Sequence, residues 1–103
     1  MTRDNPEMTV TGWKGVGTFG VRVGRSNAAL YFRKDWASAR IQVDGKSYEY
    51  PLPDTFWERC PEFRGGAIKD WLLENRLAPW VRGHPPRLEL TPIADNCFRL
   101  SVA

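Results

Sequence analysis

Apolar residues alternate with glycine or polar residues at Phe19, Val21 and Val23, with Gly20 and Arg22 between them, the period of two that marks a strand with one buried face. Gly24-Arg25-Ser26-Asn27 interrupts, and Ala28 to Phe32 supplies a second apolar stretch. This predicts a hairpin with a four- or five-residue loop, Arg25 and Asn27 at its tip, preceded by another strand near Val10. The segment Ala39 to Tyr50 is more explicit, because Asp44-Gly45 suits the positive-φ turn of a two-residue hairpin loop. That loop sets Val43 opposite Lys46, Ile41 opposite Tyr48 and Ala39 opposite Tyr50 on one face. Arg40 then stands opposite Glu49, and Gln42 opposite Ser47, on the other.

After Pro51-Leu52-Pro53 the pattern changes period. Asp54 or Thr55 can cap a helical turn carrying Phe56 and Trp57, with Glu58 at capping-box distance from Thr55 and Pro61 ending it. A longer helix is predicted over 66–75, with Ile68, Trp71, Leu72 and Asn75 on one face and Lys69, Asp70 and Glu74 toward solvent. Asn75 suits a left-handed end. Gly83-His84-Pro85-Pro86 forbids regular structure. Leu88 and Leu90, then Phe98, Leu100 and Val102, read as a closing hairpin around Ala94-Asp95-Asn96. The expected fold is mainly β with one main helix (α+β): a small open barrel or pseudobarrel of about seven strands, since a sheet of this size must curl or be covered to bury one face. Residues 1–7 are expected to be a loose tail and 8–103 a single β-rich domain.

At 103 residues, with 42% hydrophobic, 26% charged and 13% aromatic residues, the chain has material for one core and too little polarity for a disordered segment. No apolar run is long enough for a membrane helix, and Met1 to Glu7 has no apolar stretch of the signal-peptide kind, so a cytoplasmic location away from membranes is expected. Cys60 and Cys97 lack the close spacing of zinc or redox motifs and read as reduced thiols, with a single disulfide as the exported-protein alternative. With His84 they make three scattered soft ligands where structural zinc takes four, so neither a metal nor a cofactor is expected.

The net charge of +3 is modest, but its distribution is uneven. From Val10 to Val43, Lys14, Arg22, Arg25, Arg33, Lys34 and Arg40 face Asp35 alone. From Asp44 to Glu62, five carboxylates outnumber Lys46 and Arg59. Eleven of the fifteen cations are arginine, whose planar fork grips a phosphate or a guanine edge through two bonds. A GC-rich genome also raises the arginine content. Trp13 and Trp36 lie among these cations, the interleaving that suits a nucleic-acid surface, although each could equally be tucked under a loop.

Catalytic motifs are wanting. Gly15 to Gly20 matches G-x-G-x-x-G, yet no catalytic-loop or metal-binding segment of a kinase accompanies it, and the chain continues as strand where a dinucleotide fold needs a helix. Glycines that let a strand bend are the simpler account. His84 and the scattered serines have no nucleophile-elbow context, and Pro61 separates Glu58 from Glu62. No catalytic residue is expected.

The D-G hairpin, the helix Ala67-Ile68-Lys69-Asp70-Trp71-Leu72, and Leu88-Glu89-Leu90 with Phe98-Arg99-Leu100 together resemble the DNA-binding pseudobarrel of plant B-three-type transcription-factor domains and of some restriction-enzyme recognition domains. The resemblance covers about two thirds of the chain, and the early helix usual in that family has no strong counterpart. It implies a concave sheet clasping the DNA major groove between two arms. The first arm would carry Lys14, Arg22, Arg25 and Asn27, and the second Arg40, Gln42 and Lys46. Arg33 and Lys34 of the basic block join them as candidate contacts. The expected function is thus a non-catalytic module for double-stranded DNA, with a protein-protein interaction module of a larger assembly as the alternative, its exposed Trp and Arg serving as anchors.

Overall fold

The computed structural model of the chain describes residues 8–103, and the tail expected over 1–7 lies outside the described residues. The elements run β1 (Met8–Gly15), β2 (Thr18–Arg22), α1 (Arg25–Tyr31), β3 (Ser38–Val43), β4 (Lys46–Pro51), α2 (Asp54–Glu58), β5 (Glu62–Arg64), α3 (Gly66–Glu74), β6 (Arg87–Ala94) and β7 (Cys97–Val102). All seven strands form one sheet in the order β4-β3-β7-β6-β1-β2-β5, antiparallel except where β3 runs parallel to β7. The sheet curls into a nearly closed barrel. Its two edges, β4 and β5, meet through the rings of Tyr50 and Phe63, whose centroids are 5.4 Å apart.

Alternation along the strands fills the barrel with Met8, Val10, Val21, Ile41, Phe63, Leu88, Leu90 and Phe98, all buried. Phe32 stacks on Phe98 with centroids 4.6 Å apart and also meets Phe56 and Phe63, so aromatic side chains from four segments share the core. Each such side chain contributes about 1.5–3 kcal/mol through loss of apolar surface to water. The central hairpin has the predicted register, from Ala39 opposite Tyr50 to Val43 opposite Lys46, with Asp44 and Gly45 at φ 55° and 82°. The closing hairpin is β6–β7.

The stretch after Val23 does not form the expected second strand. It forms α1, because burial there repeats every four residues: Ala28 and Phe32 are buried while Leu30, which a strand would place beside them, is 76% exposed. Gly24, at φ 89°, turns the chain out of β2, and its carbonyl accepts the first helical bond from the Ala28 N–H at 3.0 Å. The true partner of β2 in the first hairpin is β1, joined across the two-residue loop Val16-Gly17. On its other side β2 pairs with the three-residue β5.

The expected main helix and the expected helical turn at 54–58 are both present, as α3 and α2, and α1 is a third helix among the described residues. In α3, Ile68, Trp71 and Leu72 are buried as the spacing demands. Asn75, however, has φ −90° and donates its side-chain amide to the Trp71 carbonyl at 2.8 Å, leaving the left-handed position to Arg76 at φ 59°. Helix α2 starts at Asp54 with Pro53 at the cap position, so neither Asp54 nor Thr55 caps it.

Candidate nucleic-acid interface

Strand direction decides which loops share an end of the barrel. The pairings bring the β1–β2 turn, the β3–β4 turn, α3 and the loop 75–86 to one mouth. Helices α1 and α2 and the β6–β7 turn lie at the other. Residues 8–34 contain no Asp or Glu, and neither do residues 75–88. The fold joins these two acid-free stretches. Thr11 pairs with Arg87, and the Gly12 N–H donates to the Pro86 carbonyl at 2.9 Å. Phe19 packs on Trp80 with centroids 5.2 Å apart. A side chain at position 12 would collide with Pro86 and Trp80, so glycine is what lets the loop lie against β1.

Lys14, Trp80, Arg82 and Gly83 line a pocket of about 410 Å³ at this mouth. The adjoining outer wall carries a cross-strand row of Arg87, Thr11, Arg22 and Glu62. The next row places Trp13, Gly20 and Arg64 side by side. The Arg64 guanidinium lies 5.4 Å from the Trp13 ring centroid, a cation–π contact on a half-buried indole. Arg22 Nη2 stands 4.0 Å from Glu62 Oε2, a buried oxygen of a side chain only 12% exposed that takes no hydrogen bond among the described residues.

The nine residues singled out from sequence do not converge. Lys14 is at the basic mouth and Arg22 on the wall beside it. Arg25 is the first residue of α1 at the opposite mouth, donating to the Glu58 and Arg59 carbonyls at 2.9 and 3.5 Å. Asn27 gives its amide hydrogens to the Thr9 and Val23 carbonyls at 2.9 and 3.0 Å, a bracing role in place of the expected hairpin tip. Arg33 forks onto Asp35 through bonds of 3.1 and 3.0 Å, and the two charges hold each other: the Arg33 pKa is raised and the Asp35 pKa lowered by that hydrogen bonding and attraction. Lys34 sits 5.9 Å from the Trp57 ring. Arg40 and Gln42 face outward on β3, which two strands or more separate from β1 in either direction around the barrel. Lys46 shares a cleft with Asp44, Asp70 and Glu74, so the second arm is flanked by carboxylates. Trp36 is half-buried and packs against the core, edge-on to Phe32 and Phe98.

Arg64, Trp80, Arg82 and Arg87 were not among the residues singled out from sequence, and the fold sets them beside Lys14, Trp13 and Arg22. For Trp80, Arg82 and Arg87 the signal was the absence of acidic residues over 75–88, masked by reading that segment only as a break in regular structure, whereas Arg64, two residues from Glu62, carried no such signal. Cys60 and Cys97 are free thiols. Among the described residues no three His, Cys, Asp or Glu side chains converge as metal ligands, and no helix is long and apolar enough to cross a membrane. No protein-family model, curated protein or solved structure matches the chain, so the functional reading rests on this geometry.

Proposed function

We propose that this protein is a non-catalytic module for double-stranded DNA that docks through one side of that mouth, the side formed by the β1–β2 hairpin and the loop 75–86 and not the side where Asp44, Asp70 and Glu74 share a cleft with Lys46. The observation that carries the reading is the meeting of two acid-free stretches, remote in sequence, at one end of the barrel. There Lys14 and Arg82 present exposed positive charge beside Trp80, and Arg64 and Arg87 continue it on the adjoining outer wall beside Trp13. Phosphates would be neutralised by these cations, while arginines that reach a groove can fork onto guanine edges.

Roughly four phosphate contacts give a slope of about −3 to −4 in log K against log[salt] for duplex DNA, at about −0.9 per contact. Fluorescence anisotropy should show this slope, and Lys14→Ala/Arg82→Ala should flatten it by about two while Arg40→Ala/Lys46→Ala leaves it unchanged. Absence of binding at low salt, or equal losses in the two double variants, would overturn the assignment. The interaction-module reading draws on Leu30, 76% exposed on α1 at the opposite mouth, and takes over if DNA is not bound.

A further inference from the structure

Two features of the basic mouth are not explained by phosphate contacts alone. The pocket of about 410 Å³ combines an aromatic wall, Trp80, with two cations, Lys14 and Arg82, and the backbone turn at Gly83. It falls within the roughly 300–1,000 Å³ range of small-ligand sites. Next to it, two residues beyond Lys14, Val16 projects from the β1–β2 turn with its side chain fully exposed, and Gly17 at φ 71° holds the loop to two residues. An apolar side chain at the tip of a short hairpin beside cations is the kind of wedge that separates stacked base pairs.

We infer that the pocket receives a single nucleotide extruded from the duplex, its base stacked on Trp80 and its phosphate held by Lys14 and Arg82, while Val16 enters the stack at the vacated step. The inference rests on the DNA-binding reading above and adds to it the conformation of the ligand. A flat base suits an indole wall, which stacks any base through its π face. The two cations match the phosphate that travels with the base. Glycine at position 83, at φ 85°, leaves that side of the pocket free of a side chain.

Extrusion costs a few kcal/mol of stacking and pairing, and a duplex with an unpaired base avoids most of this. The protein should therefore bind a duplex carrying a one-nucleotide bulge about tenfold or more tighter than the fully paired duplex. Trp80 also packs on Phe19, so Trp80→Ala is paired with Arg82→Gln, a change at an exposed position. Each variant, checked for folding by circular dichroism, should lose the preference for the bulge. Val16→Ser should weaken binding to the paired duplex more than to the bulged one. Equal affinity for bulged and paired duplexes, or a preference that survives both pocket variants, would refute extrusion while leaving DNA binding intact. Competition by thymidine monophosphate as strong as that of the bulged duplex would mean a free-nucleotide site and would also refute it. Failure to bind either duplex would reject the DNA-binding reading itself.

Discussion

A hydrogen atom at position 20 is what allows β2 and β5 to lie together. A methyl group there would run into the Phe63 carbonyl oxygen and sit 2.9 Å from the Arg64 Cβ, both fixed by the strand pairing. Gly20→Ala is therefore expected to destabilise the protein by about 1–3 kcal/mol, the usual cost of forcing extra volume into a packed contact. At Gly66, in the first turn of α3, an added Cβ meets nothing, and Gly66→Ala should move stability the other way by up to about 1 kcal/mol. Urea unfolding of the two variants checks both signs. The glycine-rich G-x-G-x-x-G run is thus explained by a two-residue turn and a close approach between strands, with no phosphate loop needed. Charge at the residue scale is just as local: Arg33 is satisfied by its near neighbour Asp35, whereas Arg82 has no carboxylate in its own segment.

Elements are held by contacts that a linear reading assigns to other purposes. Helix α1 is moored to β1 and to the end of β2 by one side chain, Asn27, and to the end of α2 by Arg25. Replacing Asn27 with Ala removes two hydrogen bonds to backbone carbonyls and should cost about 1–2 kcal/mol in chemical denaturation. Binding of duplex DNA should be unaffected, since position 27 lies at the mouth away from the proposed interface. Legibility of the elements tracked how local their cause is. The central hairpin was readable to the residue because Asp44-Gly45 and its cross-strand pairs are all within twelve residues. Helix α1 was not, because its seven residues offer too short a window to separate a period of four from a generic apolar stretch. Strand β5 is three residues long and exists only because β2 offers it an edge.

For the molecule as a whole, the open question of a curled sheet is how its edges end. Here β4 and β5 approach without pairing, and Tyr50 and Phe63 bridge them. Burial disfavours the charged phenolate and raises the Tyr50 pKa above its ordinary value of 10.0, with the nearby Tyr48 adding to the shift. A raised folded-state pKa means that the unfolded chain releases its proton first. Tyr50 thus supports the fold fully below pH 10 and loses that contribution as pH rises above it. Tyr50→Phe has no proton to lose, so its stability should fall less than that of the wild type between pH 9 and pH 11, measured by thermal unfolding at each pH. The same curling separates Arg40 from Lys14 and brings Arg82 and Arg87 to the first hairpin. The charge block seen along the chain is therefore divided in space, and a different set of cations is assembled.

The sequence by itself determined the fold class, the central and closing hairpins, the buried face of α3 and the general excess of arginine over carboxylate in the first third. These follow from periodicity and turn chemistry acting over a few neighbouring residues. Tertiary structure alone decided that 8–34 and 75–88 share one mouth, that Arg25, Asn27 and Arg33 are spent on internal partners, and that Trp80 and Arg82 stand beside Lys14. Those outcomes depend on strand order and direction around the barrel, and pairing between segments more than 60 residues apart, such as β1 with β6, leaves no local trace in either segment.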